Sequence, residues 1–200
     1  MNQVVSFSNW FAMSDNQAMC RVQTHDDPSA FSKILERWQK PIERLCARMT
    51  GDAHAAEDLA QEVFTRVYAK RKEYQPSSKF STYLWRIALN ICYDELRRIK
   101  RRHESSLEED FELKCPDFQL SSTPACDLAR QERAEWVREA LFHLSENHRA
   151  VLVLKHYEGL KFREIAEILD LPEGTVKSRL FEALQQLRHI LRRRRGEYDL

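Results

Sequence analysis

The chain has 200 residues, 32 Lys+Arg against 31 Asp+Glu, seven His and a formal net charge of +1, with 42% apolar and 32% charged types and only four Gly and six Pro. So few turn residues exclude an all-β sandwich or barrel, which needs a turn every eight to twelve residues or so; no apolar run approaches the roughly 18 residues of a membrane span, and the N-terminus lacks a secretory signal. Five cysteines (Cys20, Cys46, Cys92, Cys115, Cys126) with no C-x-x-C spacing argue against a disulfide framework and a zinc knuckle, which leaves a soluble, mostly helical chain of a reducing compartment, expected in the cytoplasm.

Residues 1–24 have no sustained period and are rich in Asn, Gln and Ser, as in a flexible N-terminal extension. After Asp27-Pro28, the residues Phe31, Ile34, Leu35, Trp38, Ile42, Leu45 and Cys46 recur mostly at three- and four-residue steps and predict an amphipathic helix. Thr50-Gly51-Asp52 stops it, and Asp52 caps the next. That second helix buries Ala56, Leu59, Val63 and Val67, widened by Phe64 and Tyr68, and presents Glu57, Asp58, Gln61 and Glu62 on the opposite face. Gln75-Pro76-Ser77-Ser78 predicts a turn. A third helix follows from about Ser81 on Leu84, Ile87, Ala88, Ile91 and Leu96, and runs into the basic cluster Arg97-Arg98-Ile99-Lys100-Arg101-Arg102.

Residues 104–126 carry two Pro and five acids between 105 and 126 against one Lys, without a helical period. They read as an acidic linker, although Phe111, Leu113, Phe118 and Leu120 are more apolar than a spacer needs. Split by segment, the charge is +4 over 1–104, −4 over 105–126 and +1 over 127–200, and both outer segments end in a basic run, the second at Arg192–Arg195. The expectation is therefore all-α, with a domain at 25–103 and another at 127–200 joined by a flexible linker. In the second domain Leu128–Leu144 predicts one helix, and Ser145 caps another to His156 that ends at Glu158-Gly159.

The stretch 159–180 carries the clearest functional signal. A short helix with Ile165, Ala166 and Leu169 inward breaks at Asp170-Leu171, and a second starts at Pro172 with Val176 and Leu180 inward. Thr175, Lys177, Ser178, Arg179 and Phe181 are left outward or at the edge. This is the pattern of a helix-turn-helix, whose second helix enters the DNA major groove. Lys and Arg reach guanine or phosphate, Ser and Thr either, and Phe a thymine methyl.

The segment Phe162 to Leu169 followed by Glu173-Gly174-Thr175-Val176-Lys177-Ser178-Arg179-Leu180 resembles the promoter −35 reading domain of extracytoplasmic-function (ECF) sigma factors of the sigma-70 family. Ala56-Glu57-Asp58-Leu59-Ala60-Gln61-Glu62-Val63-Phe64 resembles that family's core-polymerase-binding helix, and Phe80-Ser81-Thr82-Tyr83-Leu84-Trp85-Arg86-Ile87-Ala88-Leu89-Asn90 its −10 reading and strand-opening segment. The three motifs keep the family's order and spacing over about residues 26–195.

The resemblance implies that Asp58, Gln61, Glu62 and Phe64 bind core RNA polymerase. It assigns Lys79, Phe80, Ser81, Thr82, Tyr83, Trp85, Arg86 and Asn90 to the opened −10 element, with the turn 75–82 and Asn90 forming a pocket for one flipped base. Stacking of an unpaired base on an aromatic ring contributes about 1–3 kcal/mol. Arg97, Arg98 and Arg101 would lie along the adjacent duplex backbone, a sequence-independent contact. Arg163, Thr175, Lys177, Ser178, Phe181 and Glu182 fall to the −35 element, with Arg179 nearer the backbone. Glu182 and Lys161 depart from the family pattern: an acid replaces a basic or aromatic residue, and Lys161 replaces the Ser or Thr that usually caps the first helix of the motif. The resemblance also implies an anti-sigma factor as partner, besides core RNA polymerase and promoter DNA.

No H-E-x-x-H, P-loop, G-x-S-x-G or G-x-G-x-x-G occurs, and His143, His148 and His156 do not share a helical face. No enzyme, cofactor, metal, small-molecule substrate or membrane insertion is expected. The alternatives are a helix-turn-helix regulator that binds DNA alone, a helical enzyme, and an interaction module without DNA binding. The first leaves the aromatic cluster 80–86 unexplained.

Overall fold

The computed structural model describes residues 13–75, 79–105 and 128–198. Its described residues form eight α-helices and no strand: α1 (Asp15–His25), α2 (Pro28–Thr50), α3 (Ala53–Ala69), α4 (Phe80–Ser105), α5 (Leu128–Phe142), α6 (Glu146–Leu152), α7 (Phe162–Leu169) and α8 (Glu173–Tyr198). A 3-10 turn (Arg71–Glu73) follows α3, and a π turn (Val153–Tyr157) extends α6. The turn residues Pro76–Ser78, nearly all of the acidic linker and the first twelve residues lie outside the described set.

The helix boundaries follow local chemistry. The Asp27 carboxylate accepts from the N–H groups of Ser29 and Ala30, and Pro28 occupies the first helical position of α2. Asp52 caps α3 in the same way through His54 and Ala55. Gly51, at φ 82°, turns the chain between them and donates its N–H to the Ala47 carbonyl. Pro41 does not end α2, because Ile42, Leu45, Cys46 and Met49 beyond it are fully buried and hold the helix in place.

Helices α1–α4 pack around one apolar core. Trp38 of α2 meets Trp85 of α4 edge-on, with centroids 5.6 Å apart, and the thiols of Cys46 and Cys92 touch at 3.7 Å between the same helices. Helix α1 corrects one expectation. Residues 15–24 are not a loose extension: Ser14 and Gln17 form a capping box, and Ala18, Met19 and Val22 are buried against α2 and α4.

Helices α5–α8 form the second group, with Val151, Leu154, Ile165, Ile168, Val176, Leu180 and Ala183 inside. The helix-turn-helix is α7 and α8: Asp170 takes the left-handed conformation at φ 54°, and Thr175 and Val176 donate their N–H groups to the Pro172 carbonyl as α8 begins. Just before α7, the Glu164 carboxylate reaches back to take the Lys161 N–H at 3.1 Å. Lys161 itself offers no acceptor, so the first-turn N–H groups of α7 receive no side-chain cap, as expected from the sequence.

The two groups pack on each other. Phe142 sits over Gly51, and Arg149, 5% exposed, donates to Leu141, Phe142 and Leu144 carbonyls in its own group and to the Met49 carbonyl of α2 at 2.5 Å. Arg48 of α2 pairs with Glu158 at 3.1 Å and lies 4.4 Å over the Tyr157 ring at the end of the π turn.

Candidate nucleic-acid interface

Three surfaces carry the residues singled out in the sequence. The first is the outer side of α2 and α3. Asp58, Gln61 and Glu62 are exposed there, with Arg66 pairing Glu62 at 2.6 Å. Phe64 is 5% exposed. It forms the floor of a groove of about 570 Å³ together with Phe31, Leu35, Ala60, Gln61 and Tyr68. An apolar trough rimmed by Gln39, Glu43 and Glu57 accepts a partner helix better than a small ligand, because its polar groups line the edge rather than converge.

The second surface is the start and outer face of α4. Lys79, Arg86 and Asn90 are exposed, and Ser81 and Tyr83 are half-buried. Phe80, Thr82 and Trp85 are buried at 0%, 6% and 3% exposure. Phe80, assigned to the −10 element by resemblance, belongs to the core beside Tyr74 and Tyr83, and Trp85, which the sequence leaves between core and stacking face, packs in the core against Trp38. Spacing alone could not separate the two roles, since an aromatic beside a turn serves either. Tyr83 keeps a face near the Tyr74 ring at 5.2 Å, and burial pushes its phenol above the usual range. Further along, Arg97 pairs with Asp94 at 3.3 Å and Arg98 with Glu95 at 2.6 Å, while Arg101 is exposed.

Two of these cations meet the other group of helices. Arg86 donates to the carbonyls of Glu167 (2.5 Å) and Ile168 (3.3 Å) at the C-terminal end of α7, where the helix dipole is negative. Lys79 pairs with Glu164 of the same helix at 2.9 Å, which raises the lysine and lowers the carboxyl. Backbone carbonyls and a carboxylate of α7 thus occupy both cations.

The third surface is the outer face of α8. Phe181 is 63% exposed, Lys177 and Ser178 are exposed, and Thr175 and Arg179 are half-buried. Lys177 pairs with Glu173 at 2.7 Å and lies 5.5 Å over the Phe162 ring, and Ser178 donates back to the Gly174 and Thr175 carbonyls. Arg163 on α7 is exposed and pairs with Glu167 at 3.3 Å. Glu182, also exposed, lies 3.3 Å from the His148 ring of α6, so its carboxylate is held within its own domain.

Sequence reasoning missed Arg149, Asn16 and Gln23. Each has a backbone partner far away in sequence, the Met49 carbonyl for Arg149, the Phe80 N–H for Asn16 and the Lys72 and Tyr74 carbonyls for Gln23, and no periodicity reports such pairs. The Ser14-x-x-Gln17 capping pattern was the one available sign of α1.

Comparison with known proteins matches residues 34–102 to sigma-70 region 2 and residues 134–187 to sigma-70 region 4. The chain is 34% identical over 170 residues to the ECF RNA polymerase sigma factor SigW of Bacillus subtilis, covering 83% of this chain and 91% of that protein. It is 34% identical over 177 residues to the RNA polymerase sigma-H factor of Pseudomonas aeruginosa, covering 86% and 91%, and 31% identical over 181 residues to the ECF RNA polymerase sigma-E factor of Escherichia coli K12, covering 88% and 93%. In fold it is similar to the sigma factor RpoE of Bartonella quintana, solved with the anti-sigma factor NepR (TM-score 0.63, 23% identity, 81% of this chain and 96% of that one). It is also similar in fold to CnrH, solved with the cytosolic domain of CnrY (TM-score 0.66, 21% identity, 88% and 96%).

Proposed function

The chain belongs to the ECF branch of the sigma-70 family, and from that premise we propose how an RNA polymerase sigma factor is distributed over its residues. It binds core RNA polymerase and directs it to promoters. The first domain, proposed at 25–103, is widened by α1; the second is proposed at 127–200. Core polymerase docks on α2 and α3 through Asp58, Gln61 and Glu62, with Phe64 shaping the groove floor beside them. Opened −10 DNA is held by Lys79, Ser81, Tyr83, Arg86 and Asn90, while Phe80, Thr82 and Trp85 support that surface from within. Arg97, Arg98 and Arg101 lie along the duplex backbone.

Helix α8 enters the −35 major groove, where Thr175, Lys177, Ser178 and Phe181 face the bases and Arg163 and Arg179 the phosphates. Glu182 orients α8 through His148 and contributes less to base reading. Bond formation stays with the polymerase, so this chain is not itself an enzyme. It acts in the cytoplasm, and an anti-sigma factor covers these surfaces until a signal arrives. Among the described residues no helix is long and apolar enough to cross a membrane.

The observation that carries this reading is the co-occurrence of regions 2 and 4 in one chain, and the exposed polar and cationic side chains on α3, α4 and α8 support it. Run-off transcription with core polymerase over a genomic promoter library tests it. Added promoter specificity is expected with the chain, and Lys177→Ala with Phe181→Ala is expected to reduce it about tenfold or more. No gain in specificity overturns the reading. A promoter-specific footprint without polymerase would favour a regulator that binds DNA alone.

A further inference from the structure

Helix α1 lies wholly before the region 2 match at 34–102, yet its polar side chains point at the segment that opens α4. The Asn16 Oδ1 accepts the Phe80 N–H at 2.7 Å. That N–H belongs to the first turn of α4, where no partner exists within the helix, so Asn16 caps α4 from 64 residues upstream. One turn beyond Met19, the Gln23 Nε2 donates to the Tyr74 carbonyl at 2.7 Å and the Lys72 carbonyl at 3.2 Å. Just after the helix ends, Asp26 pairs with Arg71, which lies 4.2 Å over the Tyr68 ring and donates to the Tyr68 carbonyl.

Asn16 and Gln23 are seven residues apart, two turns of helix, and therefore share one face about 10 Å apart along the axis. Met19 is fully buried on that face and Val22 beside it. Packing alone would need only those two. The amides add directional bonds to both flanks of the −10 surface: the Lys72–Tyr74 backbone on one side and Phe80 on the other.

We infer that α1 sets the position of the −10 reading surface, with Asn16 and Gln23 as positioning residues that fix the separation of Tyr74 from the start of α4. The inference rests on the assignment of that surface to −10 DNA. Neither side chain touches DNA. They decide where Lys79 and the half-buried Tyr83, which rests on the buried Tyr74 ring, stand when a base arrives. Loosening them spares attachment to polymerase and −35 binding, and weakens capture of the opened strand.

The test uses the full chain assembled with core polymerase on a promoter whose −10 non-template strand carries 2-aminopurine. Asn16→Ala and Gln23→Glu, the latter of equal shape but an acceptor facing two carbonyls, are expected to slow the fluorescence rise about tenfold each. Core affinity and binding to a −35 duplex should hold, and the preference among −10 bases should flatten. Asn16→Asp keeps an acceptor for the Phe80 N–H and is expected to restore the rate, which a purely structural loss would not predict. Opening at the wild-type rate in both variants overturns the inference, as does slowing with unchanged base preference and no rescue by Asn16→Asp. If the wild-type chain itself opens no promoter, the −10 assignment fails instead.

Discussion

Gly51 stands at φ 82°, and a Cβ built there would lie 2.9 Å from the Cζ of Phe142. Alanine at this position is disfavoured twice, by backbone conformation and by the ring of the other domain. Gly51→Ala should cost about 1–3 kcal/mol in denaturant unfolding, and Phe142→Ala in the same background should recover only the steric part. A cost no larger than the backbone part, with no recovery from Phe142→Ala, would mean that the two domains do not meet here. Glu158 behaves differently. Its side chain is 7% exposed, and burial pushes its carboxyl above the ordinary 4.5, against the pull of Arg48 and Arg44. A raised carboxyl favours the folded state in its protonated form. Its contribution is therefore complete below about pH 4.5 and is lost as pH rises through the folded value. Relative to Glu158→Gln, the wild type should gain stability as pH falls from 7 towards 4.5, measured as paired melting curves. A pH-independent difference between the two proteins would contradict this account.

Helices α2, α3, α7 and α8 were legible in the sequence because each pairs a long apolar period with a strong local stop or cap: Asp27-Pro28, Gly51-Asp52, Asp170-Leu171-Pro172. Helix α1 was not, since its eleven residues bury only Ala18, Met19 and Val22 among polar neighbours. Its stability comes from tertiary contact, which a local pattern does not report. The same limit applies to the aromatic cluster. Phe80 and Trp85 sit three and four residues from Tyr83 and Leu89 respectively, a spacing equally suited to a buried stripe or a stacking face, and burial decided for the stripe. The element-scale expectation is that α1 stabilises the first domain: Met19→Ala, at a side chain with no exposure, should cost about 2–5 kcal/mol by chemical denaturation. A loss below about 0.5 kcal/mol would leave α1 outside the cooperative unit.

At the scale of the whole chain, the two surfaces proposed to read DNA share a contact that binding to both promoter elements would have to break. Arg86 and Lys79, proposed for the −10 element, rest on the Glu167 and Ile168 carbonyls and the Glu164 carboxylate of α7, the first helix of the helix-turn-helix. The elements they are proposed to read lie about 25 base pairs apart, roughly 85 Å at 3.4 Å per pair. A compact chain of this length has a radius of gyration of about 16 Å, too small to touch both. The 22 residues 106–127 can extend to about 75 Å, which covers the distance once the radii of the domains are added. On the proposed assignment, closed packing is expected of the free chain and separation of the polymerase-bound one, with polymerase contacts on the α2–α3 face supplying the difference in free energy. Dyes placed at the exposed Lys70 and Gln185 should show high energy transfer in the free chain and lose it on addition of core polymerase. Glu164→Lys sets two cations face to face at Lys79 and should lower transfer without polymerase. Low transfer in the free wild-type chain would show that the domains are already apart, and that Arg86 and Lys79 reach DNA without first leaving α7.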